Sequence, residues 1–336
     1  MPEQSFDEVL KDLKNKIYQP VYIFSGEETF FTDELCNYIE DHILNDMEKE
    51  FNQTVVYGLD SNVFDIISMA RRFPMMANHQ VLIIKEAQNL KESENLATYL
   101  QNPLKSTVLV IAIMHKPIDK RTKLYKMAKE KGCVFTSAKL NKNQLPLWIE
   151  KRLSAMGFKI DSRESFLLGE YLGSDLSKID NELKKISLNV PAGSKITDSI
   201  IEDNVGISKD YNIFEFLDAL VKRDIYKANR IVNYFAANPK ENSIFMILPN
   251  LHNLFFKAMV YSQLKQFDDK VIASKLGVSP MFLGQYKTTS SQYRILKLAE
   301  IIREIKNYDL KAKGLGNINA SPGELLRELT YKILHD

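Results

Sequence analysis

The chain has 336 residues, of which 45% are hydrophobic and 26% charged, and its formal net charge is +2. An apolar-rich chain close to neutrality can offset its folding entropy, so this composition excludes a mainly disordered protein. No run approaches about 20 consecutive apolar residues, so we predict no membrane-spanning helix and no membrane partner. The two cysteines, Cys36 and Cys133, lie far apart in the sequence. They predict no disulfide framework and favour a reducing, cytoplasmic location.

The first 140 residues alternate short apolar runs with amphipathic ones. Continuous apolar runs predict buried strands at residues 21–24, 54–57, 81–84, 107–113 and 134–135. The intervening helices would cover both faces of a mostly parallel sheet, so residues 1–140 are predicted to form a doubly wound α/β domain. One helix, over residues 120–131, is expected to end at Gly132, where a left-handed conformation costs little.

The strand pattern is predicted to stop after residue 138. Residues 141–210 carry apolar side chains at helical spacing and predict a small helical domain. Residues 211–336 are also predicted to be helical, with Asn212 capping a helix that starts at Ile213. The predicted fold class is therefore an α/β domain followed by two all-α domains. Residues 211–336 carry 18 Lys and Arg against 12 Asp and Glu, and this basic excess weakly favours an anionic partner.

An α/β domain followed by helices suggests a nucleotide-binding ATPase, but the motif for phosphate binding is missing. A phosphate loop needs glycines and a lysine in the pattern G-x-x-x-x-G-K-[ST]. The segment after the first predicted strand instead reads Gly26, Glu27, Glu28 and Thr29, whose carboxylates would repel a triphosphate. Lys85 follows the third strand, where an ATPase would hold Mg²⁺ with an aspartate. We therefore predict no bound ATP, no metal site and no cofactor.

Two other function classes remain open on the residues alone. An active ATPase with an unusual phosphate loop is one of them. The other is a DNA-binding regulator, because residues 272–279 match the Ala-x-x-x-Gly turn of a helix-turn-helix. A recognition helix would begin near Ser279, but the residues that follow are apolar, whereas base edges are read by polar side chains. A hairpin of helices packed in a bundle is the favoured interpretation.

Three large apolar side chains surround a proline at residues 73–76. Phe73, Met75 and Met76 flank Pro74, which follows a predicted helix. These side chains could cover the edge of the sheet. Alternatively, they could form an exposed anchor for a hydrophobic cleft on another protein, since surface clusters of this kind mark interfaces and methionine adapts to such clefts.

Taken together, these segments resemble the delta subunit of the bacterial DNA polymerase III clamp loader. The similarity rests on residues 20–28, 73–76 with 81–87, 118–125, 173–176 with 181–185, and 308–314, which follow one another in order along nearly the whole chain. The resemblance implies an AAA+-like α/β domain without a working nucleotide site (1–140), a helical lid (141–210) and a helical collar that joins subunits (211–336).

The resemblance also implies a function and a set of partners. The chain would be a subunit of the polymerase holoenzyme without catalytic residues of its own, and would help to open the sliding clamp (beta). Phe73, Met75 and Met76 would form a wedge that enters the clamp. The other expected partners are the ATPase subunits, the delta-prime subunit and primed DNA. Tyr286, or nearby Tyr293, could stack on a template base, and Lys287 could contact phosphate.

Overall fold

In the computed structural model, the apolar runs of the first 140 residues form one five-stranded parallel sheet. Its strands are β1 Val21–Gly26, β2 Gln53–Tyr57, β3 Gln80–Lys85, β4 Thr107–Ile113 and β5 Cys133–Ser137. Their order in the sheet is β2-β3-β4-β1-β5, and every pairing is parallel. All residues of β1 and β4 are buried, which explains why both strands appear in the sequence as continuous apolar runs.

The structure describes residues 3–141, 144–206, 210–240, 242–278, 280–316 and 319–335. The chain divides into two units, Met1–Asn141 and Lys142–Asp336. The division falls next to the first predicted domain boundary. The second boundary, near residue 210, stays a prediction.

Helices cover both faces of the sheet in the first unit. They are α1 Phe6–Lys14, α2 Thr29–His42, α3 Asp46–Asn52, α4 Val63–Ala70, α5 Leu96–Leu100 and α6 Lys123–Lys131. Alternate residues of β1 point to opposite faces, as the pleat of a strand requires. Val21 and Ile23 join a core with α4, α5 and α6, and Tyr22 and Phe24 join a second core with α1 and α2.

Gly132 ends α6 as predicted, but the predicted left-handed conformation is wrong. Its φ angle is −154°, which lies outside the left-handed region. Glycine is required here for a different reason, because a Cβ atom would lie 2.1 Å from the carbonyl oxygen of Val21. The close approach of the α6 terminus to β1 therefore explains this glycine.

The second unit is mostly helical. Its elements are α7 Gln144–Ala155, β6 Lys159–Ile160, α8 Ser162–Leu172, α9 Leu176–Asn189, β7 Lys195–Ile196, α10 Asp198–Val205, α11 Ile213–Val221, α12 Ile225–Ala237, α13 Ile244–Gln263, α14 Asp269–Leu276, α15 Leu283–Gln292, α16 Ile295–Ala312 and α17 Pro322–Leu334. The prediction that strands stop after residue 138 is wrong in one detail, because β6 and β7 pair in parallel. The predicted cap is confirmed: Asn212 Oδ1 accepts the amide hydrogens of Phe214 and Glu215.

The helix α13 lies at the centre of the largest core in this unit. By length and composition alone, α13 could cross a membrane. Its buried side chains, however, pack with those of helices between Phe216 and Leu334. They are Ile244, Ile247, Leu248, Leu251, Leu254, Phe255, Ala258 and Tyr261. This burial accounts for the apolar composition of α13.

Candidate functional site

The loop between α4 and β3 exposes the three apolar side chains that the sequence singled out. Phe73 is 75% exposed, Met75 63% and Met76 102%. They therefore do not cover the edge of the sheet. Large apolar side chains clustered on a surface are characteristic of a protein interface. We call Phe73, Met75 and Met76 the wedge.

Two side-chain amides, one of them buried, hold the backbone of this loop. Asn52, the last residue of α3, is 5% exposed. The amide N–H of Met75 donates to Asn52 Oδ1 at 2.6 Å, and Asn52 Nδ2 donates to the Met75 carbonyl at 2.9 Å. Gln80 Nε2 lies 2.7 Å from the carbonyl oxygen of Arg72. Neither amide was predicted from the sequence, because hydrogen bonds to a distant backbone leave no periodic signal.

The wedge backbone also contains two conformational constraints. Pro74 has a fixed φ and disfavours a helical conformation for Phe73. Met76 has a φ of 54°, in the left-handed region that non-glycine residues seldom occupy. Such strain persists only where surrounding contacts hold the backbone, and it is concentrated at functional sites.

Polar groups of the loop after β1 are hydrogen-bonded to other parts of the protein. The amide N–H of Gly26 donates to the carbonyl of Lys116, and that of Glu27 to the carbonyl of Ser137. Glu28 is the N-cap of α2, and its carboxylate accepts the amide hydrogen of Phe30. A carboxylate of the chain thus lies at the helix N-terminus that would bind phosphate, and α2 begins at Thr29 with no lysine before it.

Lys85 forms an ion pair at the end of β3. Its Nζ lies 3.0 Å from Glu40 Oε2 on α2. Burial opposes the charged ammonium group, but the bond to Glu40 outweighs this effect and raises the pKa of Lys85 above its ordinary value. A lysine that stays protonated here opposes a divalent cation. No group of three or more His, Cys, Asp or Glu side chains that could hold a metal occurs within the described ranges.

The two thiols are also unsuited to nucleophilic chemistry. Cys36 and Cys133 are buried in the core on the same face of the sheet. Burial raises the pKa of each thiol to about 12. The reactive form of cysteine is the thiolate, so both side chains behave as small apolar residues at neutral pH.

The three residues considered for DNA contact lie in the second unit and differ in their exposure to solvent. Tyr286 is 3% exposed and Tyr293 1%, and both belong to the core around α13. The hydroxyl of Tyr293 donates to the carbonyl of Leu220 at 2.6 Å. Neither ring is available to stack on a base in this conformation, so these two assignments are corrected. Lys287 is exposed on α15.

The segment compared with a helix-turn-helix does form two helices joined by a turn. Gly277 has a left-handed φ of 62° and ends α14. Ser279, where a recognition helix was expected to begin, lies outside the described residues, and α15 begins at Leu283. Ile272, Leu276, Leu283 and Tyr286 pack in the core, as expected for a bundle hairpin.

Two family models match the chain. One is described as DNA polymerase III, delta subunit, and matches residues 22–138. The other is described as DNA polymerase III delta subunit, C-terminal domain, and matches residues 210–321. Together they cover more than half of the sequence. The chain belongs to the DNA polymerase III delta subunit family.

The chain is also similar to a curated protein and to solved structures. DNA polymerase III subunit delta of Bacillus subtilis (strain 168) is 25% identical over 321 residues, which are 91% of this chain and 91% of the relative. The structure of the Bacillus subtilis DNA clamp loader delta protein (YqeN) is 23% identical, covers 98% of this chain and 99% of that one, and has a TM-score of 0.56. A RuvB Holliday junction branch migration motor from Thermotoga maritima is 13% identical, covers 85% of each chain and has a TM-score of 0.37.

These findings confirm the resemblance and the fold class predicted from the sequence. The first unit is the predicted α/β domain with its parallel sheet, and the remainder is mostly helical. The roles of individual residues in the wedge, the nucleotide loop and the collar stay predictions.

Proposed function

We propose that this delta-family chain binds a sliding clamp through the wedge and helps to open it during clamp loading. The observation that carries this proposal is the exposure of Phe73, Met75 and Met76 on a loop whose backbone is hydrogen-bonded to two side-chain amides. Burying one such side chain contributes about 1.5–3 kcal/mol. Methionine adapts its shape to a cleft, so two methionines suit a hydrophobic pocket on the clamp.

Clamp opening follows from a difference in affinity. A clamp subunit interface interconverts between closed and open states, and a ligand shifts that equilibrium only by binding the open state more tightly. The wedge would bury more apolar surface on the open state. Since the wedge is exposed in the free chain, this subunit needs no nucleotide to present it.

The nucleotide dependence of loading would therefore reside in other subunits. Glu28 occupies the phosphate position of the loop, and Lys85 is paired with Glu40. We place ATP binding in the ATPase subunits, which would assemble with this chain and the delta-prime subunit through residues 211–336 as a shared collar. Residues 141–210 would form the lid, which lies in the sequence between the clamp-binding domain (1–140) and the collar (211–336).

Primed DNA is proposed as a partner of the assembled loader. Residues 211–336 carry a net excess of six basic side chains, and Lys287 is exposed. A phosphate contact by Lys287 would make binding salt-dependent. A plot of the logarithm of the DNA-binding constant against the logarithm of salt concentration measures this dependence. In the assembled loader, Lys287→Ala should make the slope of this plot shallower by about 1.

The experiment is a calorimetric titration of the full chain with the sliding clamp of the same organism. The variant combines Phe73→Ala, Met75→Ala and Met76→Ala, and is expected to weaken binding by about 100-fold or more, because buried anchors dominate interface energy. ATP should leave the affinity of the unaltered chain unchanged.

Leu188→Ala is the matched control, since Leu188 is an 86% exposed apolar residue of the second unit. It should bind the clamp normally. Normal binding by the triple variant would exclude the wedge as the clamp-binding element.

A further inference from the structure

The wedge backbone is fixed by a side chain that is itself out of solvent. Asn52 is 5% exposed, and both the oxygen and the nitrogen of its side-chain amide are hydrogen-bonded. Its Oδ1 accepts from the Met75 N–H at 2.6 Å, while Nδ2 donates to the carbonyls of Met75 at 2.9 Å and Glu48 at 3.0 Å. One amide therefore joins the end of α3 to the centre of the wedge, 23 residues later.

The residues on either side of Met75 are also restricted. The residue before Met75 is Pro74, whose φ is fixed by its ring. The residue after it is Met76, which is held at a left-handed φ of 54° although it is not a glycine. Gln80 fixes the start of the loop through the carbonyl of Arg72. The side chains of the wedge thus project from a backbone that is ordered before any partner binds.

We propose that Asn52 is a positioning residue for clamp binding, which holds the wedge in its binding conformation in the free protein. This inference rests on the proposed function of the wedge. Ordering a loop during association reduces affinity, and a preformed loop avoids that loss. The side chain of Asn52 lies behind the wedge backbone and is not itself the anchor. It acts through Met75.

The first test uses Asn52→Ala, with Asn212→Ala as the matched control. Asn212 is also 5% exposed and also binds backbone amides, but it caps α11 in the second unit. We expect Asn52→Ala to weaken clamp binding about tenfold. Asn212→Ala should change the affinity less than twofold. Equal effects of the two variants would indicate a general loss of stability and would overturn the inference.

A second measurement separates positioning from direct contact. Adding Asn52→Ala to the wedge triple-alanine variant should cause no further loss of affinity, because a preformed backbone has no anchors left to present. A further tenfold loss in that background would overturn the positioning role. Normal clamp affinity of the triple-alanine variant would instead exclude the proposed function itself.

Hydrogen exchange gives a third test, which begins with the unaltered protein. The Met75 amide should be protected in the free, unaltered protein, and clamp binding should add little to its protection. Asn52→Ala should accelerate exchange at Met75 while the amides of β1 and β4 stay protected. Exchange of Met75 at the rate of an unstructured peptide in the free protein would overturn the proposal, even if Asn52→Ala fails to fold.

Discussion

At the scale of single residues, Met76 combines an unfavourable backbone conformation with a fully exposed side chain. Its φ of 54° disfavours any residue with a Cβ atom. Met76→Gly should therefore be about 0.5–1 kcal/mol more stable than Met76→Ala in urea unfolding. Both variants should lose clamp affinity, because both lack the methionine side chain. Equal or greater stability of Met76→Ala would contradict the left-handed conformation.

Gly132 illustrates a residue whose position was predicted correctly for the wrong reason. The end of α6 was expected here, but the approach to Val21 depends on how α6 packs against β1, which a local pattern does not contain. Gly132→Ala should destabilise the protein by about 2 kcal/mol or more, since overpacking against backbone is not easily relieved. Gly284 is the control, because it lies on an exposed helix face and a Cβ atom added there would meet nothing within 4 Å.

Gly284→Ala should leave stability unchanged or raise it by up to about 1 kcal/mol, the difference in helix propensity. Urea unfolding of both variants under one set of conditions gives the comparison. A Gly132→Ala protein as stable as the parent would mean that α6 does not approach β1 this closely.

At the scale of elements, the long apolar strands were predictable and the shortest ones were not. The β4 range, residues 107–113, matches the prediction because a fully buried strand is a continuous apolar run. The strands β6 and β7 have two residues each, too few to show a period of two. The wedge was found from its composition, whereas Asn52 was missed because its hydrogen-bond partner is 23 residues away.

The elements around the degenerate phosphate motif lead us to predict that the isolated chain does not bind nucleotide. Mg-ATP should not raise the melting temperature of the isolated chain, with magnesium chloride at equal ionic strength as the control. A ligand present at 100 times its dissociation constant would stabilise the folded state by about 2.7 kcal/mol. A rise of several degrees with Mg-ATP would revive the interpretation as an active ATPase.

At the scale of the whole molecule, the first unit contains everything that the proposed clamp contact requires. Its sheet is packed on both faces by helices from residues 6–131. The wedge, Asn52 and Gln80 all lie in Met1–Asn141. A domain with its own core and its own binding loop is expected to fold and bind on its own.

A fragment of residues 1–141 should therefore unfold cooperatively and bind the clamp within about threefold of the full chain. Circular dichroism in urea tests the first expectation, and calorimetry the second. The complementary fragment, residues 142–336, should show no clamp affinity. If the first fragment is folded but binds more than about tenfold more weakly, residues of the second unit must contribute to the clamp contact. The wedge would then be only part of the surface that distinguishes the open clamp from the closed one.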